Sequence, residues 1–323
     1  MSDPLEYTVG WICCKVTDLA AALSLLDEEH ERVRYTKEGD SNDYTLGRMS
    51  GHNVVLAILP DGCSKITAAV CSARDMLRTF PNVRVGFLVG VAGGVPSPRH
   101  DIRLGDIAVN IAPVPERHAG VLSYGSGEMI QGQRFRAKES AYWPPPNLVE
   151  ATERLRERYQ NEGHHLEETV NAALEKYFLM QEEFQRPNSD TDRLYQSRVV
   201  HPADSDSDCA TSCGNDGWSL IMRDAREDDK ARVHYGIIAS GNCWVKDAMF
   251  RDALAAEKNV LCFEMEGADL CDDFRGLNIR GISNYADTHQ TKQWRGYAAM
   301  MAAAYTKDLL SELNTESMPR QYP

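Results

Sequence analysis

Glu264, Met265 and Glu266 set two carboxylates around a thioether, straight after the apolar run Val260 to Phe263 and before Gly267. Eighteen positions after Glu266 stands Asn284, within a second polar group, Ser283-Asn284-Tyr285-Ala286-Asp287, that closes the strand-like run Ile279 to Ile282. An ionised carboxylate only accepts hydrogen bonds, which suits a ligand rich in hydroxyls, and a carboxyl with a shifted pKa can also move a proton. In α/β proteins ligands bind beyond the carboxyl ends of strands, so two strands that both end in polar residues outline a cleft. The bland alternative is that Glu264 and Glu266 are carboxylates favoured by the dipole at the start of a helix.

Other residues able to do chemistry are spread along the chain. Ala92-Gly93-Gly94-Val95-Pro96 ends the apolar run Val83 to Val91. Adjacent glycines there permit positive φ and close approach of a ligand to the backbone, or form an ordinary tight turn. Neither a GxGxxG nor a P-loop occurs, and no cofactor is expected. Asp18, just after Tyr7 to Cys14, reads on structural grounds as an N-terminal helix residue. Trp244 follows the strand-like run Val233 to Ala239 and offers either a flat surface for a planar ligand or core filling. Cys209 and Cys213, with His201 upstream, hold half the donors of a zinc site; no second close pair follows, and no metal is assigned.

These residues need a scaffold, and the bulk properties restrict which. The chain of 323 residues is 42% hydrophobic, enough to bury a large α/β core. A net charge of −13 disfavours a nucleic-acid groove, which needs a basic face, although small anions can be held locally. The start, Met1 to Glu6, has no basic n-region followed by an apolar core, and no apolar run reaches the roughly 18 residues of a membrane span. The expectation is an intracellular, cytoplasmic protein whose nine cysteines are mostly packed as reduced thiols.

Periodicity predicts a strand at 7–14 and then a helix with Leu19, Ala22, Leu23, Leu25 and Leu26 on one face. A hairpin is predicted around Ser50-Gly51-His52, joining 43–49 to 53–59, followed by a helix at 66–79 and a buried strand at 83–91. Leu104-Gly105-Asp106 is a turn into another strand, residues 115–147 read as irregular, and a helix returns at 148–160. Residues 161–232 read as a polar, solvated insertion with a helix at 166–184. Beyond it come a strand at 233–239, a helix near 246–257, strands and a helix around Glu266 and Ile279, and a last helix at 295–312. The pattern implies an α/β fold, a single domain over 1–323 with a mixed central β-sheet flanked by helices.

Taken in order, WICCKVTDLAAA, LVGVAGGVP, LGDIAV, IASGNCWV, FEMEGA and GISNYADTH resemble the nucleoside phosphorylase and nucleosidase superfamily, nearest the nucleosidase-like domain of many fungal proteins. These motifs run from residue 7 to about 312 when the last helix is included. The resemblance implies a three-layer fold, cleavage of an N-glycosidic bond in a purine nucleoside or nucleotide, and homo-oligomers in which a neighbour closes the pocket. By it, Glu266 accepts hydrogen bonds from the ribose 2′ and 3′ hydroxyls with Glu264 as a second acceptor, and Met265 packs beneath the sugar. Trp244 stacks on the base, while Gly93 and Gly94 line the sugar or phosphate side.

Two departures from the family pattern bear on chemistry. Where nucleosidases carry an Asp that donates to purine N7, this chain has Asn284; where they carry a water-activating Glu in the first loop, it has Asp18. An amide donates a hydrogen bond but transfers no proton at neutral pH. Asn284 therefore fits an engineered exchange that traps substrate, a natural preference for 6-oxopurines, or a binding module that senses a nucleoside without turning it over. Asp287, three positions on, is the alternative donor. Hydrolysis is favoured over phosphorolysis; the latter would need inorganic phosphate and arginines to hold it, for which Arg48 and Arg99 are candidates.

Overall fold

The computed structural model describes residues 1–60, 65–111, 120–128, 136–139, 144–203, 207–267, 270 and 274–314. Its first half contains β1 (Val9–Cys13), α1 (Val16–Ser24), β2 (Glu28–Glu29), β3 (Tyr44–Met49), β4 (His52–Ile58), α2 (Lys65–Thr79), β5 (Val85–Gly94) and β6 (Ile107–Val109). Alternation along the early strands fills two apolar layers. Val9, Trp11 and Cys13 of β1, Val54 and Leu56 of β4, and Val85, Phe87 and Val89 of β5 join one cluster. Ile12, Val55, Ala57 and Leu88 join the other, against Ala69, Ala73 and Met76 of α2. Period-two side-chain direction covers both faces of the sheet with apolar contacts. The expected hairpin forms between β3 and β4 with Ser50 at φ 48° and Gly51 at φ 84°. Two positive φ values give the turn the twist that antiparallel strands require.

The middle of the chain contributes β7 (Val121–Glu128), β8 (Arg136–Glu139), α3 (Pro146–Glu162), α4 (Leu166–Lys176), and two single-turn helices, α5 (Gln181–Phe184) and α6 (Cys209–Ser212). Two expectations change here. Residues 115–147, expected to be irregular, include the antiparallel pair β7 and β8; glycines and serines at the solvated end of β7 hide a strand whose first residues, Val121 and Leu122, are buried. The 161–232 stretch is anchored rather than merely solvated. Leu166, Val170, Leu174, Phe184 and Leu194 belong to the main apolar cluster, and the Arg226 guanidinium pairs with the fully buried Asp106 at 2.6 and 2.7 Å. Polar composition reflects its outer face, while helical spacing delivers an apolar inner one.

The chain then forms β9 (Val233–Tyr235), β10 (Ile237–Ser240), α7 (Ala248–Lys258), β11 (Val260–Glu264), β12 (Gly276–Asn284) and α8 (Arg295–Ser311). The expected strand at 233–239 is thus two, broken at Gly236, with β9 pairing β6 and β10 pairing β11 and β7. The helix expected after Glu266 falls largely on residues 268–269 and 271–273, outside the described ones. Strand order is β2-β3-β4-β1-β5-β11-β10-β7-β8, and β12 adds to β5 and carries β6 and β9 beyond it. Parallel and antiparallel pairs coexist, so the sheet is mixed as expected. Among the described residues no helix is long and apolar enough to cross a membrane.

α8 is apolar nearly all round, with Met300, Met301, Ala302 and Tyr305 fully buried, which marks a helix enclosed by the core. It lies directly on β12, where Gly281 is required: a Cβ there would come within 1.9 Å of the Ala298 carbonyl oxygen. Gly281→Ala should therefore force helix and strand apart and cost about 1–3 kcal/mol or more, read as a lowered denaturation midpoint in urea; an unchanged midpoint would disprove this close approach.

Candidate active site

The site begins with a change of partner along β5. β1 pairs with β5 as far as Val89, and β11 pairs with it at Gly93 and Gly94, running the opposite way. Between them Gly90 to Ala92 border a break in the sheet, where β1, β5, β11 and β12 all bring their carboxyl ends. This is the kind of switch point where open α/β sheets bind ligands. A cavity of about 180 Å³ opens there, bordered by Gly93, Phe263, Met265, Glu266, Asn284 and Trp244 among others.

Below this cleft lies Arg280, at the middle of β12 and without solvent exposure. Its Nε donates to Asn278 Oδ1 at 2.6 Å, Nη1 to Cys14 Sγ at 2.9 Å, and Nη2 to Glu264 Oε2. Nη1 also stands 3.2 Å from Glu266 Oε2. Glu264 in turn accepts the backbone N–H groups of Glu266 and Gly267, each at 3.0 Å. Glu264 thus borders the cleft as well, with its oxygens holding Arg280 and the turn.

Glu266 and Met265 do stand on the cleft wall. Burial pushes the Glu266 carboxyl up to about 7, against the pull of Arg280 and with a further push from Glu264. Asp18 in the first turn of α1 is also buried, and its carboxyl is pushed up to about 6 by desolvation, offset in part by Arg280 and Arg295. Among the described residues neither of its oxygens has a side-chain hydrogen-bond partner. Its Oδ2 and Arg280 Nη1 both lie within 3.0 Å of the point a Gly90 Cβ would occupy. Asp18 therefore sits behind the wall, beside Arg280, and does not line the cleft where water activation would place it.

Asn284 does line it. Its Oδ1 accepts the Ala286 backbone N–H at 2.9 Å, which fixes the amide's orientation, and Nδ2 lies 3.2 Å from Ser283 Oγ. An amide nitrogen carries two hydrogens, so a second N–H remains for a ligand. Asp287 is outside the lining: it is buried, accepts the His289 backbone N–H at 2.9 Å and lies 3.7 Å from Arg251. The alternative donor is thereby separated from the cleft. Gly93 borders the cavity because a Cβ there would meet Asn284 Oδ1 at 2.8 Å, whereas Gly94 packs under Ile282 and Ile102 and does not line it. Neither glycine has the positive φ that the sequence allowed. Trp244 is no core filler; it is 58% exposed at the rim, with Lys246 Nζ 4.4 Å from its ring centroid.

No family model matches this chain. Over 316 residues it is 39% identical to a nucleotide-binding leucine-rich repeat (NLR)-like protein of Hyaloscypha variabilis, covering 98% of this chain but only 30% of that relative. Among solved structures it is similar to a 5′-methylthioadenosine/S-adenosylhomocysteine nucleosidase from Neisseria meningitidis in complex with methylthio-immucillin-A, with a TM-score of 0.57, 15% identity, and 95% and 99% of the two chains covered. The futalosine hydrolase of Helicobacter pylori superposes with a TM-score of 0.54 at 14% identity and the same coverage. An Asp-to-Asn mutant of the Helicobacter pylori methylthioadenosine nucleosidase, with 5′-methylthioadenosine in its active site, gives 0.53 at 15%, again with 95% and 99% covered. The chain shares the fold of these nucleosidase and hydrolase structures.

Within this nucleosidase fold the cleft also contains groups that sequence reasoning did not select. Lys15, Lys65 and Arg295 line it, while Arg48 is an exposed side chain on β3 and Arg99 borders a different cavity. Tyr124 and Phe263 form an aromatic wall, edge to face with centroids 5.4 Å apart. Arg280 had a readable signal: a permanent charge inside an otherwise apolar strand demands a buried anionic partner. A larger cavity of about 380 Å³ lies under the 186–231 segment, but charges there are already matched, Arg226 with Asp106 and Arg223 with Asp192.

The raised Glu266 carboxyl has a consequence for stability. The folded protein keeps this proton up to about 7, while an unperturbed glutamate releases it near 4.5, so the group's contribution is present at acid pH and lost as pH rises through that window. The full difference is on the order of 3 kcal/mol. Glu266→Gln should accordingly lose less thermal stability than the parent between pH 5 and pH 8; parallel curves for the two proteins would show that Glu266 keeps an ordinary pKa.

Proposed function

We propose that the chain hydrolyses the N-glycosidic bond of purine nucleosides, with 6-oxopurines preferred. The observation that carries this reading is the single cleft in which the Glu266 carboxyl and the Asn284 amide face one space beside Phe263, Tyr124 and Trp244. The nucleosidases that share the fold support it. Cleavage builds positive charge on the sugar and negative charge on the departing base, so the site must stabilise both. Ionised Glu266 accepts hydrogens from the ribose diol, Met265 packs beneath the ring, and the aromatic wall holds the purine. Asn284 donates Nδ2–H towards N7. Because Oδ1 is committed to the Ala286 N–H, the amide offers the base a donor, which suits the acceptors N7 and a 6-oxo group better than an exocyclic amine.

An amide in place of a general acid sacrifices typically 10²- to 10⁴-fold in rate. Asn284→Asp should raise base release from adenosine at least ten-fold and narrow the preference for inosine. An unchanged rate, or adenosine turned over faster than inosine by the parent, would remove Asn284 from the donor position.

Two other readings each have an observation in their favour. Lys15, Lys65 and Arg295 provide cations for inorganic phosphate or for a nucleotide's phosphates, which favours phosphorolysis or a 5′-phosphorylated substrate. Similarity to under a third of an NLR-like protein, together with Asn284, favours a module that binds a nucleoside within a larger NLR-like chain. Base release measured with and without phosphate separates the first from hydrolysis, strict phosphate dependence deciding for phosphorolysis. Intact nucleoside held by the parent, with no cleavage after Asn284→Asp, would decide for the second.

A further inference from the structure

Four potential metal donors meet outside the cleft. His201 Nδ1 lies 3.2 Å from Cys213 Sγ and 3.4 Å from Cys209 Sγ, and with His289 the four ligand atoms all fall within 4.8 Å of one another. A tetrahedral zinc ion, with Zn–S of about 2.3 Å and Zn–N of about 2.0–2.1 Å, places neighbouring donors roughly 3.3–3.8 Å apart. The His201 distances, 3.2 and 3.4 Å, lie at the short edge of this range. Cys209 and Cys213 stand one helical turn apart at α6, a spacing that points both sulfurs to one side.

His289 supplies an independent observation. Its Nε2 lies 3.1 Å from the Val199 carbonyl oxygen, which can only accept, so Nε2 holds the ring proton and Nδ1 keeps the lone pair. That Nδ1 is buried and, among the described residues, has no hydrogen-bond partner. An imidazole that donates from one nitrogen to a backbone carbonyl and leaves the other bare is the arrangement found at metal-bound histidines. The ring is held in place by Tyr195, stacked at 3.8 Å between centroids, and by the Asp287 carboxylate on its backbone N–H.

We propose that His201, Cys209, Cys213 and His289 form a closed structural zinc site that fastens His201 and α6 to the turn following Asn284. Two thiolates balance the charge of the ion, and binding releases their protons. Four protein donors leave no open position, so the ion has a structural and not a catalytic role. The backbone already anticipates this staple, since the His201 N–H donates to Thr288 Oγ1 at 2.8 Å. Sequence spacing left the site one donor short because the fourth lies 76 positions beyond Cys213, five residues past the end of β12.

The test is metal analysis of the full chain, purified under reducing conditions without chelator. About one zinc per chain is expected, with at least a ten-fold loss in a Cys209→Ser/Cys213→Ser double variant and no loss in Cys71→Ser, an exposed thiol on α2. Cobalt(II) added to the metal-stripped parent should give a thiolate-to-metal charge-transfer band that the double variant lacks. The parent measurements decide the matter even if the double variant misfolds by circular dichroism. Absence of both zinc and the cobalt band in the parent would overturn the site. So would a band that survives the double substitution in folded protein, or a Cys209–Cys213 disulfide found by mass spectrometry.

Discussion

Arg280 carries a charge that cannot be neutralised into a position with no solvent, and the cleft is arranged around satisfying it. Removing one partner of such a buried pair costs about 3–5 kcal/mol, because the remaining charge has nowhere to go. Glu264 supplies the direct partner and, through the same carboxylate, ties down the N–H groups of Glu266 and Gly267. The end of β11 is thereby locked to the middle of β12. One cation nevertheless faces three carboxyls, and desolvation leaves Glu266 and Asp18 with raised pKa values despite its presence. The ionisation of the cleft wall is thus a property of the core beneath it.

The sheet can hold this cluster because β5 exchanges neighbours. Had β1 continued along β5 past Val89, backbone ladders would fill the place where Gly90 to Ala92 now border the break. Gly90 has no side chain because the space above it belongs to Cys14, Asp18 and Arg280, all within about 3 Å of the missing Cβ. Antiparallel entry of β11 then brings the carboxyl ends of β5 and β11 together over Gly93, Gly94, Cys262 and Phe263. Side chains from strands of opposite direction meet at one opening, which a purely parallel sheet would provide only at one end.

Strand-end position was the readable signal, and several residues it picks at or just beyond a strand end border the cleft. Glu266, Met265, Gly93 and Asn284 are on the cleft because apolar runs of strand length end beside them. The same signal over-reached at Gly94 and Asp287, which a shift of one or three positions takes off the cleft, under the strand ends or into the core. Lys15, Lys65 and Arg295 escaped it, since each belongs to a different element and only the folded sheet brings them together. β7 was illegible for a related reason: its serines and glycines look like a loop, and its strand character comes from pairing with β8 and β10. The 161–232 segment misled through composition, which averages a polar outer face with the apolar stripe that reaches α8.

Asn284 is the point at which architecture and chemistry can be separated. Its Oδ1 closes the turn that holds Ala286 at φ 52°, an uncommon value for a residue with a side chain. A carboxylate would accept the same N–H with the same reach, so the turn requires an acceptor at this position and is indifferent between Asn and Asp. What distinguishes the two is the other end of the group. Asn keeps an N–H directed at the cleft at every pH, whereas Asp offers one only when protonated. The amide therefore gives the cleft a hydrogen-bond donor at every pH and no transferable proton.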